Sequence, residues 1–219
     1  MKRYNKPTII VNTHGKITQK KTQKILVEQK RVAHTILKKL NIPPPKVITI
    51  HLYNTRGQKE KITGEKGNCH ADIKNNKIHA FLPKGRKTLG HHEMVHILTK
   101  HLGSPPKLLT EGLALWFDKS WHGVAFSSLV KKMFISEKHG HLVNNIFSDS
   151  AFKKIPNLLS YNITGLITSS LIHDFGLSKY LKLYKKCKRK NSLQKNLYIF
   201  NKIYKFEFPL YLKKLFPNY

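Results

Sequence analysis

The sequence predicts an α+β fold: a small N-terminal sheet with one long helix, then a helix carrying HHEMVH and a helical C-terminal half. Three observations predict it. β-Branched or alternating apolar runs are confined to the first 83 residues. A three-four-seven apolar repeat covers residues 18–40, and helical spacing dominates after residue 88.

The first run, TIIVN (8–12), is short and β-branched, as a strand requires. From Thr18 to Leu40 the apolar positions Ile25, Val32, Ile36 and Leu40 share one face of a helix whose outer face is covered by lysines. Asn41 and the prolines of IPPP (42–45) end it. KVITIHLY (46–53) alternates like a half-buried strand and is followed by the turn-rich stretch 54–68. CHADIKNNKIHAFLP (69–83) reads as a hairpin turning at Asn75-Asn76 and returning through IHAF (78–81). Thr88 is placed as the N-cap of a helix running through HHEMVH to about Leu102, where Gly103 and Pro105-Pro106 stop it. Thr110 is placed as the cap of a second helix, 111–120, and further helices are expected over 124–137, 161–175, 178–189 and 206–215. The whole chain, 1–219, is read as one domain with a sheet-containing half, 1–86, and a helical half, 87–219.

Composition narrows the function classes. Hydrophobic residues make up 40%, enough for a core and too many for a disordered chain. Cys69 and Cys187 are far apart, so neither a zinc knuckle nor a disulfide framework is expected. No apolar run approaches the roughly 18 residues of a membrane helix. The basic start MKRYNKPTIIVNTHGK has too short an apolar stretch for a signal peptide, so the chain is expected in the cytoplasm. Lys and Arg outnumber Asp and Glu by 41 to 11, a formal charge of +30, which draws anionic polymers and surfaces. Because 36 of those cations are Lys and only 5 are Arg, loose affinity fits better than bidentate phosphate or base recognition. A lysine-rich compositional habit is the alternative.

The chemistry centres on HHEMVH (91–96). Residues four apart share a helix face, so His92 and His96 direct two imidazoles to one point where a single zinc ion can be shared. Glu93 sits beside them, where its carboxylate reaches a water in the open coordination position and serves as general base. Composition alone yields roughly 0.04 occurrences of His-acid-x-x-His in a chain of this length. The alternative is a helix whose two histidines only cap or pack.

A catalytic zinc site needs a third protein ligand, and Glu111 in TEGLALWF (110–117) follows His96 with fourteen residues between them, across a proline-containing turn. Its alternative role is a first-turn glutamate favoured by the helix dipole. His101, five positions past His96, points elsewhere, whereas Asp118 and His122 are rivals on the following segment. Asp118, two turns after Glu111, reads either as an acceptor for a ligand imidazole or as a solvated acid. Thr99 and Leu102 stand where the pattern HExxHxxGxxH needs Gly and His, which removes that arrangement.

HEMVH followed by LLTEGLALWF resembles the gluzincin zinc metallopeptidases, in particular small bacterial peptidase MA-like domains. YNITGLITSSLIHDFGLSKYLKLYKK (161–186) is similar to the family's downstream tyrosine, small-residue helix and Phe-Gly run, here Phe175-Gly176. The resemblance implies a zincin-like fold, one Zn2+ on His92, His96 and Glu111, Glu93 as catalytic base, and hydrolysis of peptide bonds in a peptide or protein substrate. By the same analogy Tyr161 donates a hydrogen bond to the oxyanion; the alternative is a core tyrosine. The resemblance also implies that the strand beside the zinc helix offers its edge to an extended peptide, and IHAF (78–81) is expected to be that strand. Two rivals stand beside it. One is a SprT-like, DNA-associated metalloprotease with a third histidine as ligand, for which His122 is the candidate. The other is a catalytically inactive, basic polyanion-binding protein on a zincin scaffold.

Overall fold

A computed structural model describes residues 7–84, 89–121, 124–125 and 137–216, and it divides into two compact units, Met1–His101 and Leu102–Tyr219. The fold is α+β, with a four-stranded mixed sheet in the first unit and mostly helix in the second.

In the first unit β1 (Thr8–His14) leads into α1 (Gln19–Leu40), then β2 (Val47–Tyr53), α2 (Arg56–Thr63), β3 (Cys69–Asp72), β4 (Lys77–Phe81) and α3 (His92–Thr99). The expected caps of α1 are present: Thr18 accepts from the Lys21 amide, and Asn41 ends the helix in the left-handed region at φ 52°. Its Ile25, Val32, Ala33, Ile36, Leu37 and Leu40 are buried, and the helix packs along β1 and against α3. Ile48, Ile50 and Leu52 of β2 are buried in alternation, as the pattern 46–53 requires.

The sheet order is β1-β2-β4-β3, with β4 parallel to β2 and antiparallel to β3. The hairpin turns at Asn75-Asn76 as expected, with Asn76 at φ 53° and Asp72 accepting from the Asn75 amide. However, β4 is paired on both sides and has no edge to offer. This corrects the expectation for IHAF: both its neighbours claim its backbone groups, and β3 is the outer strand of the sheet, lying along α3.

α2 lies inside the stretch read as turns. Its eight residues include one large apolar side chain, the exposed Ile62, and so carry no apolar period; only the caps mark it, Thr55 accepting from the Gln58 amide and Gly64 left-handed at φ 72°. α3 begins at His92, with His91 as its N-terminal boundary. Thr88, placed as the cap, lies outside the described residues.

The second unit holds α4 (Lys107–Asp118), a two-stranded ladder of β5 (Ser120–Trp121) and β6 (Val124–Ala125), then α5 (Glu137–Asn144), α6 (Asp149–Lys154), α7 (Asn157–Phe175), α8 (Leu177–Lys186), α9 (Leu193–Tyr204) and α10 (Phe208–Leu215). α4 starts a full turn before the expected residue 111, because Asp149, 42 residues away, accepts from the Lys107 amide at 2.8 Å and caps it. Thr110 is therefore inside the helix, its hydroxyl donating to the Lys107 carbonyl. The helix expected at 124–137 is corrected at its start, where Val124-Ala125 pairs with β5; residues 126–136 lie outside the description. Phe147, Phe200, Tyr204 and Phe208 form an aromatic core with centroids 4.6–5.9 Å apart. Among the described residues no helix is long and apolar enough to cross a membrane.

Candidate metal centre

α3 divides its residues by face. Met94, Val95, Ile97, Leu98 and Thr99 are buried, whereas His92, Glu93 and His96 are half-buried on the remaining arc. The His92 and His96 rings lie 4.9 Å apart, nearly edge to face. The entry to α3 is pinned by α1: Gln29 donates to the Gly90 carbonyl at 3.1 Å, and the Leu89 amide donates to the Glu28 carboxylate at 3.3 Å. Burial holds the Glu28 carboxyl above the usual range, and the backbone donors at Leu89 and Gly90 pull against that shift.

Glu93 shares its electrostatic surroundings with two groups that the sequence did not single out. Lys59 of α2 is fully buried and donates to the Glu65 carbonyl at 2.9 Å. Burial lowers its pKa, opposed by Cys69 and three carboxylates, Glu93 among them. His70 of β3 is pushed down by burial and by Lys59, and Glu93 pulls it back up. No sequence signal pointed to Lys59, because its helix has no apolar stripe and lysine is the commonest surface residue of this chain.

Glu111 is in the second turn of α4, since the helix begins at Lys107, and the first turn contains no acid. The helix-dipole explanation for this glutamate is thereby removed. α4 is seated on α7 by close approach: a Cβ at Gly112 would overlap the Thr168 hydroxyl and lie 3.3 Å from a Thr164 methyl. The fully buried Tyr180 of α8 donates to the Leu109 carbonyl at 3.0 Å and lies 3.3 Å from the Thr168 hydroxyl.

One ligand atom from each of His92, His96 and Glu111 lies within 4.8 Å of the others, and all three residues are half-buried. Two imidazoles and one carboxylate are the donor set that zinc takes when one position is kept open. The residues present therefore fit the ion. Of the other candidates, His101 is exposed in the short 3-10 turn Lys100–Leu102, and Asp118 closes α4 half-buried. His122 lies outside the described residues. Tyr161 is half-buried on α7 with its ring against Phe152, centroids 5.8 Å apart. Phe175-Gly176 is the joint between α7 and α8, Gly176 taking φ 83°.

No protein-family model matches the chain, and comparison with curated proteins and with solved structures returned no match.

Proposed function

We propose that the protein is a zinc metallopeptidase of gluzincin type with a zincin-like fold. The convergence of His92, His96 and Glu111, with Glu93 directly after the first histidine, carries this reading. One Zn2+ on these three residues would supply Lewis acidity, lowering the pKa of water and polarising a scissile carbonyl. Glu93, on the same arc of α3, accepts the water's proton and passes one to the leaving amine. The Gln29 and Glu28 contacts hold the entry to the helix that carries Glu93. Tyr161 is proposed as donor to the oxyanion, and the outer edge of β3 as the strand on which an extended substrate peptide is laid.

The test is Glu93→Gln, with zinc measured by elemental analysis and cleavage by digestion of a broad peptide library. Zinc stays near one per chain while cleavage falls about 100-fold or more. Unchanged cleavage, or a wild-type chain purified in zinc without retaining it, refutes the reading. Glu111→Ala is expected to lose zinc and His122→Ala to keep it; the reverse pattern favours the SprT-like rival.

A charge of +30 supports loose affinity for anionic polymers as a second property of the chain. Binding to a polyanion such as heparin should fall steeply with added salt.

A further inference from the structure

β1 is an outer strand of the first unit's sheet, paired only with β2 among the described residues. Along a strand the N–H and C=O of one residue point to one side and those of the next residue to the other. The Thr8 amide donates to the Lys46 carbonyl at 3.0 Å, and the His14 carbonyl accepts from the Asn54 amide at 3.0 Å, so Thr8, Ile10, Asn12 and His14 face β2. Ile9, Val11 and Thr13 therefore turn their amides and carbonyls to the free edge, where no hydrogen bond among the described residues reaches them. Outer strands are ordinarily guarded by lysines, prolines or bulges. Thr8–His14 contains no lysine, arginine, acid or proline, and its register with β2 runs unbroken over seven residues. Pro7, just before it, has the parity of Ile9 but no N–H, so it closes the row of donors at one end.

A groove of about 550 Å3 lies against this edge, lined by Pro7, Thr8 and Ile9 on one side and by Lys30, Arg31 and His34 of α1 on the other. These three side chains are exposed and share one stripe of α1, His34 lying three and four residues past the others. No acid lines the groove, and the one carboxylate of α1, Glu28, accepts from the Leu89 amide. The outer face of the sheet differs. Ile10 is 44% exposed there, with Asn12 on the same side of the strand. Farther in, the His51 and His79 rings stack 4.8 Å apart and those of His79 and His70 4.9 Å apart. Burial first, then the neighbouring imidazoles, hold His79 at about 4, and burial also lowers His51 and His70, so this stack is neutral at pH 7.

We propose that the free edge of β1 and the α1 wall form a docking site for an extended acidic segment of a partner protein. The segment adds as a further strand, its carboxylates toward Lys30, Arg31 and His34 and its uncharged side chains beside Ile10. Main-chain hydrogen bonds to Ile9, Val11 and Thr13 hold it, and alternation along the segment matches the two unlike faces. A second copy of this chain is the poorer occupant, because two chains of +30 repel. The metal centre plays no part in this surface.

The probe is a fluorescent peptide of alternating Glu and Val, about seven residues long to match β1. Its anisotropy is measured with the full chain in about 0.15 M NaCl, where attraction between exposed charges is screened beyond about 8 Å. Glu93→Gln is the background, so that the probe is not cut. The peptide binds, and an analogue N-methylated at every residue, equal in charge but without donors, binds about tenfold more weakly or worse. Lys30→Glu with Arg31→Glu weakens binding about tenfold or more. Val11→Pro does the same, since it removes an outward N–H and leaves the ladder with β2 intact. Lys213→Glu with Lys214→Glu on α10, an equal change of charge, leaves binding unchanged. Far-UV circular dichroism accompanies each variant; should Val11→Pro unfold, the N-methylated analogue and the α1 variant decide the matter. Equal affinity for the two peptides, no binding, or binding that survives Lys30→Glu with Arg31→Glu overturns the proposal. So does a dimer of the chain that Val11→Pro dissociates, because a second copy then occupies the edge.

Discussion

Gly112 follows Glu111 in the chain and faces Thr164 and Thr168 of α7 at close range, so Gly112→Ala tests the seating of the helix that carries Glu111. A Cβ at this position would overlap the Thr168 hydroxyl oxygen, stand 3.1 Å from Thr168 Cβ and 3.3 Å from a Thr164 methyl. The first contact can be eased by rotating a side chain. The second cannot, because Thr168 Cβ is fixed to the backbone of α7. Overpacking of this kind costs about 1–3 kcal/mol, and alanine's better helix propensity offsets about 0.5–1 kcal/mol of it. The net expectation is a loss of about 1–2 kcal/mol, read by urea denaturation followed at 222 nm. Thr168→Ala removes the closest atom, the hydroxyl oxygen, and leaves the Cβ, so Gly112→Ala with Thr168→Ala should recover about 1 kcal/mol relative to the sum of the single changes. A Gly112→Ala chain as stable as wild type, or more stable, refutes the close approach of α4 to α7.

Asp149 caps α4 through the Lys107 amide and also pairs with Arg189 at 2.8 Å, so Asp149→Ala should cost about 1–2 kcal/mol in the same assay; Arg189→Ala, whose side chain is 47% exposed, should cost no more than about 1 kcal/mol. His79 is held at about 4 against 6.5, so between these values the unfolded chain binds more protons and stability falls as the pH drops from about 6.5 to 4. The denaturation midpoint of His79→Gln should show a flatter pH dependence over that window, and an unchanged slope would exclude His79 as a contributor. Tyr161→Phe keeps the ring against Phe152 and removes only the hydroxyl: a fall in kcat for peptide hydrolysis with unchanged stability supports the oxyanion role, whereas unchanged kcat leaves Tyr161 a packing residue.

Much of the first unit was legible because its signals are local. The period of α1 with Thr18 and Asn41 at its ends, the alternation in β2 and the Asn75-Asn76 turn each depend on residues within a few positions of one another. Where local signals were weak, the reading failed. α2 lacks an apolar stripe. α9 is the exception: its Ser192 cap and its buried Phe200, Ile203 and Tyr204 are local signals, yet no helix was expected there. The start of α4 was misplaced because its cap comes from Asp149, a partner that no sequence window contains.

The same division runs through the candidate sites. The sequence by itself determined that His92 and His96 share a helix face, since four residues make about one turn, and that Glu93 accompanies them. That Glu111 joins them was an expectation from spacing, and its placement within 4.8 Å was decided by tertiary structure. So was the interior position of β4, and so was the gathering of His14, His51, His79 and His70, which come from four strands, on one face of the sheet. A strand's own pattern states which residues share a face, but only pairing and register state which residues of other strands stand beside them. Register is set by the packing of the whole unit, which is why four histidines scattered over residues 14–79 became one surface only when the chain was folded.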